Sequence, residues 1–260
     1  MLRDVISTVK AVAEQEIVPR YLKVARQRKA DGSLFTEADL ATQEALSREL
    51  RKIHPGPVVG EEMPEQEQIS QWVAGDAGLW CMDPIDGTSN FVNGLPYFAV
   101  SVALMRKGRS VLGVVYNPVA DEMFYAEQGG GAYLNGEKLP IKEHVPAFRS
   151  AMANVDLKRL GPKLAQSICS QRPFSSQRNY GSCALEWCYT AAGRFDLYLH
   201  GGQKLWDYAA GCLILEEAGG HLCGFTKDDF WAEPLWQRSA IAALDRGLFE
   251  QWRDWVRAHQ

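Results

Sequence analysis

The stretch Trp80-Cys81-Met82-Asp83-Pro84-Ile85-Asp86-Gly87-Thr88-Ser89-Asn90-Phe91 decides how the rest of the chain is read. The apolar run from Leu79 to Met82 predicts a short strand, and it ends on a carboxylate. Pro84 forces a turn, and a second carboxylate, Asp86, follows three residues after the first. Gly87 allows backbone conformations and close approaches that a side chain would block. Asp83 and Asp86 can then share a cation, with the amides of Gly87 and Thr88 aimed at a phosphate oxygen. Carboxylates, carbonyls and water are the ligands of hard cations such as magnesium. The same residues also fit a polar turn after a strand, since Asp-Pro and Asp-Gly are common turn dipeptides.

Upstream, apolar side chains at Leu2, Val5, Ile6, Val9, Ala13 and Ile17 predict a helix over 2 to about 26. A turn at Lys29–Ser33 follows. Thr36, with Asp39 three positions on, reads as the N-cap of a helix that stops before Pro55. Val58-Val59 is a further short apolar run.

Downstream, 98–105 and 111–116 form a predicted hairpin. Segments 123–126 and 132–139, turning at Asn135-Gly136, add antiparallel sheet. Beyond a linker at 141–148, strands are expected at 151–155, 195–199, 221–223 and 239–243. Helices are expected at 162–169, 183–192, 206–218 and 247–259, the third closed by Gly219-Gly220. The sum is a mixed α/β protein of two halves, 1–142 and 149–260.

The chain has 260 residues, 46% apolar and 23% charged, which is ordinary for a soluble enzyme. Its formal charge of -4 argues against broad binding to nucleic acid or acidic membranes. No apolar run is long enough to span a bilayer, and Arg3, Asp4 and Lys10 interrupt any leader-like segment. Six cysteines show no CxxC pair and no zinc spacing, so a reducing, cytoplasmic setting is expected. A GxxxxGK[ST] loop is missing, which disfavours a kinase, and no Ser/His/Asp constellation is evident.

Four segments together resemble one family. Asp83-Pro-Ile-Asp-Gly-Thr88, between Trp80 and Asn90-Phe91, resembles the first signature of the inositol monophosphatase family. Trp206-Asp207-Tyr208-Ala209-Ala210-Gly211, continued by Glu216-Glu217-Ala218-Gly219-Gly220, resembles the second. Gly60-Glu61-Glu62 resembles its acidic loop, and Thr36-Glu37-Ala38-Asp39 its threonine-to-aspartate helix start. The elements come in the family's order and cover nearly the whole chain.

The resemblance implies a layered αβαβα sandwich, a homodimer, and a magnesium-dependent, lithium-sensitive phosphatase acting on a small phosphorylated metabolite. By motif position, Glu61, Asp83, the Ile85 carbonyl, Asp86 and Asp207 would hold metal. Asp39 and Thr88 would lie beside the attacking water, with Thr88 either relaying a proton toward Asp39 or capping a helix. Gly181, Ser182 and Cys183 would face the substrate. Glu62 would either support Glu61 or face solvent, Glu216 and Glu217 read as structural, and Ala209, Ala210 and Gly211 as small residues that permit close packing.

One position departs from the pattern. Inositol-specific members commonly carry a glutamate, which receives a substrate hydroxyl, seven residues before the second-signature aspartate. This chain has His200 there, with Lys204 close by. The pair could prefer a further anionic group, or His200 could be a surface turn residue. Inositol monophosphate or a similar sugar phosphate is the expected substrate. A nucleotide or sugar bisphosphate stays open, as does a regulatory binding role.

Overall fold

The computed structural model describes residues 1–23, 27–28, 34–142 and 144–260. Its elements in order are α1 (Leu2–Val12), β1 (Gln27–Arg28), β2 (Leu34–Phe35), α2 (Glu37–Ile53), β3 (Val58–Gly60), α3 (Glu65–Ala74), β4 (Leu79–Asp86) and α4 (Thr88–Asn93). Next come β5 (Ala99–Arg106), β6 (Arg109–Asn117), β7 (Glu122–Glu127), β8 (Ala132–Leu134), β9 (Glu137–Lys138) and β10 (Met152–Asp156). The chain closes with α5 (Pro162–Gln171), β11 (Ser176–Arg178), α6 (Cys183–Ala191), β12 (Leu197–Gln203), α7 (Leu205–Glu217), β13 (His221–Cys223), β14 (Arg238–Ala243) and α8 (Arg246–Ala258).

Two large sheets organise these elements. Strands β3 to β9 form a seven-stranded sheet in sequence order, and the other sheet runs β11-β10-β12-β14-β13. Because strand side chains alternate, each strand feeds two cores. In β4, Trp80 and Met82 pack with α1 and α2, while Leu79 and Cys81 face α6 and α7. In β12, Tyr198 joins the α6/α7 side, and Leu197 and Leu199 face α5 and α8. The result is five layers, αβαβα, as expected. Helix α7 is apolar on nearly all sides because it lies in the central layer.

Close packing places α7. A methyl group on Gly113 would sit 2.8 Å from the Ala210 carbonyl, and one on Gly211 2.4 Å from Trp187 Cβ. Ser110 Oγ donates to the Ala209 carbonyl at 2.6 Å, tying α7 to β6. Glu217 accepts from the amides of Gly129 and Gly131, and Glu216 from the Trp231 indole, so both acidic residues serve the fold.

Several local expectations need correction. The first α-helix ends at Val12, and a π turn and a 3-10 turn containing Pro19 carry the chain to Arg20. Residues 24–26 and the turn at Lys29–Ser33 lie outside the described residues. Helices α3 and α4 and strand β11 were not expected. Strand β12 starts two residues later than expected and continues through His200 to Gln203, with a register shift between those two residues. Among the described residues, no helix is long and apolar enough to cross a membrane.

Candidate active site

The end of β4 and the starts of α4, α6 and α7 converge on a cavity of about 710 Å³. At its base, Asp83, Asp86 and Asp207 each present an oxygen within 4.8 Å of the others. Each carboxylate is also anchored to backbone. Asp83 Oδ1 accepts the Ile85 amide at 3.0 Å, within the register shift between Asp83 and Asp86 on β4. Asp86 Oδ2 accepts Ser182 Oγ at 2.6 Å and the Ala184 amide at 2.7 Å. Asp207 Oδ2 accepts the Lys204 amide at 2.8 Å, the acidic half of a capping arrangement on α7. Gly87, at φ +93°, turns β4 into α4, and a methyl group there would crowd the Tyr97 and Gly181 carbonyls.

Burial pushes the Asp83 and Asp207 carboxyls well above the ordinary range, and the neighbouring acids push them further. Burial raises Asp86 to about 6, opposed by its bonds from Ser182 and Ala184. Glu61 adds its negative charge to all three. Buried carboxylates that repel one another in this way suit a hard divalent cation. The cluster can hold a metal.

The chain matches the sequence model of the inositol monophosphatase family over residues 2–256. It belongs to the inositol monophosphatase family. The chain is 38% identical over 202 residues to the Nus factor SuhB of Pasteurella multocida, covering 76% of this chain and 74% of that one. It is 36% identical over 196 residues to the inositol-1-monophosphatase of Mesorhizobium japonicum, covering 74% and 72%. A solved inositol monophosphatase structure from Thermotoga maritima superposes with a TM-score of 0.80 at 30% identity, covering 97% and 94%. The protein is a phosphatase of this family.

The remaining candidate residues sort by position. Glu61, Ile85, Gly87, Thr88, Gly181, Cys183 and His200 line the cavity with the three aspartates. Asp39 is buried at the start of α2, where its Oδ2 accepts both the Thr36 amide and Thr36 Oγ1 at 2.7 Å. Burial raises its carboxyl to about 7. Thr88 Oγ1 donates to the Ile85 carbonyl at 3.1 Å, and among the described residues no hydrogen bond joins Thr88 to Asp39. The relay contact is therefore not formed in this arrangement. Glu62 lies beside a neighbouring surface groove, with its amide bonded to Gln43.

On the substrate side the picture changes. Ser182 is fully buried and meets Asp86 rather than the cavity. The Lys204 side chain does not line the cavity; its backbone amide positions Asp207. His200 is only 2% exposed and sits on β12, so it is no surface turn residue. Burial lowers its pKa against the pull of Asp156, which favours the neutral ring. A cationic rim built from His200 and Lys204 is thus absent.

Sequence reading missed Asp156, Lys158, Arg159 and Glu186, all of which line the cavity. Asp156 carried a signal: it ends an apolar strand as Asp83 does. Glu186 is buried, and its Oε1 accepts the Tyr180 and Gly181 amides at 3.1 and 3.0 Å, holding the loop before α6. Cys188 and Arg194 stand at Cys-x5-Arg spacing, but Cys188 is buried within α6 and Arg194 pairs with Glu122 at 2.6 Å. That pair forms no phosphate loop.

Proposed function

We propose that the chain is a magnesium-dependent phosphomonoesterase that hydrolyses inositol monophosphate or a similar small polyol phosphate. The observation that carries this reading is the convergence of Asp83, Asp86 and Asp207 at the base of one cavity. Those three residues, with Glu61 and the Ile85 carbonyl, would hold magnesium. When bound, the metal supplies positive charge and an acidified water for attack on phosphorus.

The chain's own residues do the rest. A backbone anchor on one oxygen of each aspartate limits how far the side chain can turn, so little reorganisation is needed on loading. Gly87 and Thr88 line the cavity where the phosphate would sit. The Thr88 hydroxyl, now bonded to the Ile85 carbonyl three residues earlier, would hold the water's orientation. Asp39, near neutral pH in its tendency to take a proton, would accept one only after Thr88 turns from the Ile85 carbonyl.

A bisphosphate is the second reading, favoured by Lys158 and Arg159 on the cavity wall. The test is a phosphate-release screen over polyol monophosphates, sugar bisphosphates and nucleotide bisphosphates, with magnesium and after exhaustive chelation. Full activity without divalent metal would sink the metal reading. Best turnover on a bisphosphate would select the second substrate class.

A further inference from the structure

Strands β10 and β12 are parallel neighbours, and their register sets Asp156 directly opposite His200. Both side chains line the catalytic cavity, and both are buried, at 6% and 2% exposure. The two groups face each other, with His200 Nε2 3.5 Å from Asp156 Oδ2. The other ring nitrogen, Nδ1, accepts the Gly202 amide at 3.1 Å and so carries a lone pair. In the neutral ring the proton then sits on Nε2, pointed at Asp156.

This arrangement leaves His200 unable to accept a substrate hydroxyl. Its acceptor is occupied by Gly202, and its remaining nitrogen is a donor. Asp156 has the opposite character. Burial works against its ionisation, but His200, Lys158 and Arg159 outweigh it and hold the carboxyl below the ordinary range. An ionised carboxylate offers about four acceptor positions. The Lys158 amide uses one on Oδ1 at 3.2 Å, and Oδ2 faces His200 and, at 3.6 Å, Lys158 Nζ.

Adjacent strands lie roughly 4.8 Å apart, so a carboxylate offered from position 156 stands one strand away from one offered from position 200. We propose that Asp156 is a specificity-determining residue, which accepts a hydroxyl of a polyol phosphate in place of the glutamate that the family resemblance implies at position 200. His200 positions that carboxylate. The inference rests on the phosphatase reading and narrows its substrate. Lys158 and Arg159 are exposed, whereas Asp156 is buried in the wall. A second phosphate pressed into the wall would meet a like charge, while a hydroxyl would find an acceptor.

The test compares kcat/KM for inositol 1-phosphate and for p-nitrophenyl phosphate, which has no hydroxyl for the wall, at fixed magnesium. Asp156→Asn should lower kcat/KM on inositol 1-phosphate about tenfold, mainly through KM, and leave p-nitrophenyl phosphate within about twofold. The Asp156→Asn/His200→Glu double variant should recover most of the loss. The ratio between the two substrates does not depend on the folded fraction, and Asp156→Ser gives a second reading of it. Equal losses on both substrates would show Asp156 to be only a cap on the turn after β10, overturning the proposal. So would an unchanged ratio. Wild-type activity on p-nitrophenyl phosphate but on no polyol phosphate would overturn this inference together with the polyol substrate, and leave the phosphatase reading standing. Inactivity of the wild type on both substrates would instead remove the phosphatase reading beneath it.

Discussion

Ser182 Oγ donates to Asp86 Oδ2 at 2.6 Å, joining the start of α6 to the end of β4 across 96 residues of sequence. With the Ala184 amide on the same oxygen, this bond ties a proposed metal ligand to the loop that lines the substrate side. The Ser182→Ala variant keeps the amide and loses the hydroxyl. A hydrogen bond to a charged group contributes about 1.5–3 kcal/mol. The magnesium concentration for half-maximal activity should therefore rise about tenfold, with a smaller change at saturating metal. Magnesium titrations of both proteins check this, and an unchanged titration would show that Ser182 does not hold Asp86 in its working position.

Neutralising the cluster should separate activity from stability. Asp207→Asn and Asp83→Asn should each reduce turnover at least about a hundredfold, the scale of roughly 3 kcal/mol of transition-state stabilisation. Burial and mutual repulsion already disfavour the charged form of both groups in the metal-free fold. The metal-free variants should accordingly melt no lower than the metal-free parent. Near-normal turnover in purified Asp207→Asn would remove that residue from the metal site.

The pH dependence of the metal-free protein follows from the direction of these shifts. Asp86 is raised to about 6 and Asp39 to about 7, from an ordinary 3.8. Between those limits the folded chain holds more protons than the unfolded chain, so stability falls as pH rises. The contribution is full below the unfolded value of 3.8 and is lost as pH passes through about 6 to 7. Thermal melts in chelator should show a falling midpoint from pH 5 to pH 8. Saturating magnesium should flatten the trend, since a bound cation favours the charged carboxylates. A rising midpoint in chelator would contradict the burial of these acids.

Gly211→Ala tests the packing that carries Asp207. The added methyl group would stand 2.4 Å from Trp187 Cβ, close to backbone and unable to swing away. Overpacking of this kind costs about 1–3 kcal/mol. The melting midpoint should drop by several degrees, and turnover should fall with it because α7 must shift. A stable and fully active variant would mean that α6 and α7 can separate without moving the site.

Interactions that close within a few residues were legible in the sequence. The Thr36–Asp39 capping box, the left-handed Gly87, the Asn135-Gly136 hairpin and the glycine stop after α7 all depend on local backbone chemistry, whereas the turn expected at Pro84 is a register shift within β4, which runs on to Asp86. The apolar periods on either side of them were enough for a mixed α/β protein of two halves, because each strand or helix must bury what it carries; the αβαβα layering came only with the family resemblance. The residues from Asp83 to Thr88 brought Asp83 and Asp86 forward as a pair, and Asp207 joined them only through the resemblance to the family's second signature. Short helix α4 left no periodic trace, being six residues between two glycines. In α3 the polar run Glu65–Gln68 obscured the period, and its buried residue is Gln68.

What tertiary structure alone decided is the substrate wall. The apolar run of β12 stops at Leu199, yet pairing with β14 carries the strand on and buries His200. Parallel register then sets Asp156 against it, and register between strands distant in sequence has no local signature. Lys204 looked close to His200 in the sequence, but it is the N-cap of α7 and does not line the cavity. Lys158 and Arg159 arrive instead from the turn after β10. Spacing along a chain reports which groups share a turn, whereas which groups share a cavity depends on how the layers stack.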